Sequence, residues 1–117
     1  MIANPGQPAT QDTSAGLSGF TVMDYATAAD VLVVFEGTGS DYHTAYTHPA
    51  WVNALTPAHF AHLVHGEATS ANMEIDLDLA RARKAGMIYV TNDVLVPNPW
   101  DKLATYWGAE IGVIALP

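Results

Sequence analysis

Four polar residues stand where apolar segments run out, and their types could do chemistry: Asn4, Glu36, His65 and Asp93. Glu36 ends a run of five apolar residues, Val31-Leu32-Val33-Val34-Phe35, and Gly37 follows it. A carboxyl group so placed can act as general acid, general base or nucleophile when its neighbours set its pKa. It can also simply close a strand and face water. Asp93 is the other carboxylate close to such an end, where an aspartate equally serves as a turn residue or helix N-cap. His65 is either a site residue or a structural histidine with its hydrogen bonds satisfied. Aromatic residues fall in the adjoining polar segments: Tyr42, Tyr46 and Trp100, with Trp51 close by. Sugar rings present C–H faces that pack on aromatic rings, so this set suits a carbohydrate groove. The bland alternative is that the tryptophans are core, and for Trp107 that is the preferred reading. His43, His48, His59 and His62 show no metal-ligand spacing. His62 and His65 are three apart on one predicted strand and would face opposite ways. Neither a metal site nor a cofactor is expected.

These residues need elements that bring them together. Val31 to Phe35 is too apolar for a half-exposed sheet and reads as a parallel strand buried on both faces. Met1 to Asn4 reads as the end of a strand, stopped by Asn4-Pro5-Gly6. Gln7 to Gly19 reads as a loop, and Phe20 to Ala29 carries a weak helical pattern. Thr38 to Thr47 reads as a polar loop. Pro49 opens a short helix, because proline suits the first helical turn. Phe60 to Val64 is the next strand. Ser70 to Ala85 is the best-signalled helix, with Thr69 and Ser70 as N-cap candidates and Gly86 as the stop. Met87 to Thr91 is a further buried strand. Pro99 opens a final helix with Trp100, Leu103, Ala104, Trp107, Ile111 and Ile114 at helical spacing. Alternation of strands and helices implies an α/β fold with right-handed parallel crossovers. All strand C-terminal ends then lie on one edge, and the four polar residues gather there.

Composition narrows the partners. Within 117 residues, four Lys and Arg stand against twelve Asp and Glu, a formal charge of -8. Little here could neutralise a run of phosphates, so a nucleic-acid partner is not expected. An anionic membrane surface is disfavoured for the same reason, and no apolar run is long enough for membrane insertion. The chain has no cysteine, which excludes disulfides and thiolate metal sites. No signal peptide is visible at the N-terminus.

The segments NPG at 4–6, ADVLVVFEG at 29–37, FAHLVHG at 60–66, IYVTND at 88–93 and NPWDKLATYW at 98–107 resemble the spherulation-specific family 4, or spherulin-4-like, proteins. The resemblance implies a (β/α)8 TIM-like barrel of which residues 1–117 are one partial domain, the C-terminal half. It implies a glycoside hydrolase acting on an extracellular amino-sugar polysaccharide such as galactosaminogalactan, outside the cell or at its surface. Glu36 matches the family's later catalytic glutamate; Asn4, His65, Asp93 and Trp100 match positions near the groove. The family's Asp-Glu pair at the fourth strand has no counterpart before Asn4. The expectation is therefore a chain inactive alone, completed by a missing N-terminal half or a second chain. A non-catalytic carbohydrate-binding or cell-surface protein is the alternative.

Overall fold

The computed structural model describes residues 2–3 and 29–114. The predicted loop at 7–19, the weak helix at 20–28 and the site residue Asn4 lie outside them. Four strands, β1 (Ile2–Ala3), β2 (Val31–Thr38), β3 (Phe60–His65) and β4 (Met87–Val90), form one sheet. Every pairing is parallel, and the strands join the sheet in chain order. The order does not reverse among the described strands, as it would partway through a doubly wound sheet. Among the described residues, three helices accompany the strands: α1 (Gly39–Thr44), α2 (Ser70–Ala82) and α3 (Trp107–Ile114). Short 3-10 turns occupy Ala50–Ala54 and Pro57–His59. None of the described helices is long and apolar enough to cross a membrane.

Register divides the side chains between two faces. Phe35 pairs with His62 and His62 with Ile88; Gly37 pairs with Val64 and Val64 with Val90. Phe35, Val64 and Val90 are buried in one cluster with Tyr42, Tyr46, Met73 and Leu77, so these rows face the helices. The alternate row, Glu36, Leu63 and Tyr89, faces the other way, as the two-residue period of a strand requires. It is only half-buried.

Three expectations need correction. Thr38 to Thr47 is largely helical: Thr38 Oγ1 accepts from the Asp41 backbone N–H at 3.1 Å, capping α1, which satisfies one free amide of the first turn. The final helix starts at Trp107, because 99–106 is held in turns by side chains. Asn98 Oδ1 accepts from Trp100 N at 2.9 Å, Asn92 Oδ1 from Thr105 N at 2.9 Å, and Tyr89 Oη from Ala104 N at 3.0 Å. The long helix ends at Ala82, and the left-handed position after it is Lys84, at φ 65°. Gly86 serves another purpose: its N–H reaches Pro57 O at 2.8 Å, and a Cβ there would lie 2.5 Å from that oxygen.

Candidate functional site

Glu36 lies two residues before the end of β2, on the face away from the helices. Trp100, released from helix by the turn at 98–100, reaches back to it: its indole Nε1–H donates to Glu36 Oε1 at 3.3 Å. The indole has two aromatic neighbours. Its ring meets His65 edge-on at 5.7 Å and Tyr89 at a tilt at 6.2 Å. His65 is the last residue of β3 and pairs with Thr38, one step beyond Glu36 on the same face. Tyr89 is fixed in turn by Trp107 at 5.6 Å and by the Ala104 amide. Leu63, Tyr89, Trp100, Asp101, Lys102 and Leu103 line a recess of about 430 Å³ beside this group. Glu36 and Asp41 share the wall of a second recess of about 500 Å³. A carboxyl oriented by an N–H donor, a buried imidazole and an aromatic wall can hold an apolar sugar face and exchange a proton with an oxygen of that sugar.

The structure thus brings Glu36, His65 and Trp100 together. Asp93 sits past β4 in a tight turn. Its Oδ1 accepts from the Val94 N–H at 2.8 Å, its carbonyl accepts from the Gly66 N–H at 2.6 Å, and its Oδ2 is enclosed without a hydrogen-bond partner. Tyr42 is not in this group. Its side chain has no exposed surface, and it packs under Phe35 at 4.7 Å with its hydroxyl 2.5 Å from His62 Nδ1. A loop at 38–47 would have left it in the groove; as the fourth residue of α1 it turns to the core. Tyr89 was not singled out from the sequence, although the alternation of Met87-Ile88-Tyr89-Val90 puts it on the face opposite Ile88 and Val90.

The helix side of the sheet holds the buried titratable groups. Arg83 donates to the Tyr42 carbonyl at 2.6 Å and lies 4.5 Å from the Tyr42 ring centre. Burial raises the Tyr42 hydroxyl, pushes Tyr46 up to about 12 and pulls His62 down to about 3. Glu110, fully enclosed on α3, accepts from Val90 N–H at 2.8 Å, and burial pushes it up to about 7. Asp76 on α2 is pushed up to about 8, first by burial and then by the neighbouring Glu67 charge. His43 Nε2 lies 2.5 Å from Asp76 Oδ1 and 3.2 Å from Glu67 Oε2, which makes these three the described residues able to share a metal ion.

Comparison with known proteins fits this architecture. The family model described as spherulation-specific family 4 matches residues 1–114. The solved structure of Aspergillus clavatus Sph3 in complex with GalNAc superposes with a TM-score of 0.68 at 19% sequence identity. The match covers 98% of this chain and 42% of that one, so this chain spans less than half the length of its structural relative. No curated protein matches.

Proposed function

The chain belongs to spherulation-specific family 4, and on that footing we propose that it carries the Glu36 wall of a glycoside hydrolase groove acting on an extracellular amino-sugar polysaccharide of the galactosaminogalactan type. The observation that carries this reading is the hydrogen bond from the Trp100 indole to Glu36, beside His65 and Tyr89. Glu36 is the acid/base or nucleophile. Trp100 and Tyr89 hold the sugar ring, and Trp100 fixes the orientation of the carboxyl. The GalNAc in the Sph3 complex supports the ligand class.

Glycoside hydrolysis needs two carboxyl functions flanking the scissile bond, or one carboxyl and the substrate's own N-acetyl group. An N-acetylated amino sugar brings the second function itself. The reading extends to the chain's organisation: residues 1–117 form the second half of a (β/α)8 barrel, and an N-terminal half or a second chain supplies the rest. The sequential parallel strand order and the 98% against 42% coverage support it. Asp93 lies at the rim of the groove in this reading.

A non-catalytic carbohydrate binder is the second reading. It is favoured by the fact that the Trp100–Tyr89 wall is built within this chain and needs no partner carboxyl to hold a sugar. Glu36→Gln keeps the size of the side chain and an acceptor for the indole N–H. With an N-acetylgalactosamine polymer as substrate and the barrel completed by its other half, the hydrolase reading expects turnover, lost in Glu36→Gln with binding retained. Binding without turnover in the completed barrel, unchanged in the variant, selects the binder. Neither binding nor turnover overturns both.

A further inference from the structure

The side-chain cluster on the helix side plays no part in the groove chemistry. His43 comes from α1, Glu67 from the turn after β3, and Asp76 from the middle of α2. One donor atom of each lies within 4.8 Å of the other two. Asp76 is fully enclosed, Glu67 is 5% exposed, and the His43 side chain is 26% exposed, giving the cluster one face toward solvent.

Two observations outside the cluster's own contacts bear on what it holds. The Oδ2 atom of Asp76 is buried with no N–H or O–H donor among the described residues, and a hydrogen bond between the Asp76 and Glu67 carboxyls requires a proton shared by the pair. An enclosed acceptor in that state is destabilising. Gly39 leaves the room that Glu67 fills: a Cβ at 39 would collide with the Glu67 carboxylate. The nearby guanidinium of Arg83 is directed to the Tyr42 carbonyl and ring. Among the described residues, the ion pairs of Glu67 and Asp76 are both with His43.

We propose that His43 Nε2, Glu67 and Asp76 bind one divalent cation of the zinc class. One imidazole nitrogen and two carboxylates are a ligand set that such an ion takes readily, and they leave a coordination position for water. With bonds near 2.0 Å, tetrahedral ligands sit roughly 3.3 Å apart. The His43–Glu67 spacing of 3.2 Å fits this, and Asp76 Oδ1 needs to open by about 0.8 Å from its present contact. The neutral imidazole and two carboxylates carry two negative charges, which the cation cancels. On binding, a proton on Nε2 of the neutral imidazole passes to Nδ1, while the second proton of an imidazolium and any proton shared by the carboxyls leave to solvent. The ion ties α1, the β3–α2 turn and α2 into one unit behind the groove, and so acts on stability.

The test is titration of the chelator-treated native chain with Zn²⁺, followed by calorimetry in two buffers of different ionisation heat and by thermal melting. One equivalent bound, proton release and a raised Tm are expected. Co²⁺ should give visible d–d bands of a four- or five-coordinate ion. His43→Gln, at a partly exposed position, should fold and lose roughly a hundredfold or more in affinity. Asp76→Asn is the second variant, and His59→Gln the control that retains binding. No binding to the native chain at millimolar Zn²⁺ overturns the proposal. Binding that persists undiminished in His43→Gln overturns it too, because the ion would then sit elsewhere.

Discussion

At the scale of single residues, Glu36 and Glu110 show how the two faces of one sheet treat a carboxyl differently. Glu36 stands on the open face with an indole donor at 3.3 Å. Glu110 is enclosed, and burial pushes it up to about 7. Its pKa when unfolded is near the ordinary ~4.3. Between these values the folded chain holds a proton that the unfolded chain has released. The stability this contributes is full below the unfolded value and is lost as pH rises through about 7. His62 works on the acid side. Held down to about 3, it stays neutral where an unfolded histidine charges, so its contribution is full above the ordinary ~6.5 and is lost as pH falls toward about 3. Melting temperatures across pH should therefore fall on both sides. Glu110→Gln, which keeps an acceptor for the Val90 N–H, should flatten the alkaline side and leave the acid side as it was. An unchanged alkaline slope would show that Glu110 is ionised in the fold.

At the scale of elements, what the sequence made legible was the strands. Apolar runs bounded by glycine and polar residues located β2, β3 and β4 to within a few residues, and the α2 cap at Thr69 holds, with its Oγ1 accepting from Asn72 N–H at 3.1 Å. The helix-forming stretches that misled did so for physical reasons. Gly39-Ser40-Asp41 is poor in helix formers, yet the Thr38 cap and the burial of Tyr42 outweigh propensity over six residues. Helical spacing from Trp100 to Ile114 is real, but Tyr89 and Asn92 capture the Ala104 and Thr105 amides that a helix from Pro99 would bond to its own carbonyls. That capture is what frees Trp100 to reach Glu36, so the site depended on a deviation that periodicity does not show. The carboxylates around His43 were equally invisible, since their spacing in the chain is set by three different elements. Gly86 offers an element-scale prediction. A Cβ there meets the Pro57 backbone, with the carbonyl carbon at 2.8 Å, and neither segment can yield. Gly86→Ala should cost about 1–3 kcal/mol in urea unfolding. Gly112→Ala, in the exposed part of α3 with nothing within 4 Å, should be neutral or stabilising by up to about 1 kcal/mol. Equal effects of the two substitutions would contradict the packing described.

At the scale of the whole molecule, one face of the parallel sheet lies under helices and the other carries the Glu36 row beneath the 98–104 turn. The chain's formal charge of -8 gives the molecule an acidic field overall. Such a field attracts cationic sugars at long range and is screened by salt, with a Debye length of about 8 Å at physiological ionic strength. Affinity for a partly de-N-acetylated galactosamine oligomer should therefore weaken as salt rises, while affinity for the fully N-acetylated oligomer stays level. Isothermal titration at low and at physiological salt separates the two; equal salt dependence would assign the charge to solubility alone. The central claim is that Trp100 and Glu36 together face the sugar. Its most direct measurement is the ¹H–¹⁵N spectrum of the tryptophan indoles, with the Trp100 signal assigned by Trp100→Phe, during titration with an N-acetylgalactosamine oligosaccharide. The account predicts that the Trp100 indole signal shifts saturably and moves more than that of Trp107. A Trp100 signal that stays in place while the sugar binds would contradict it.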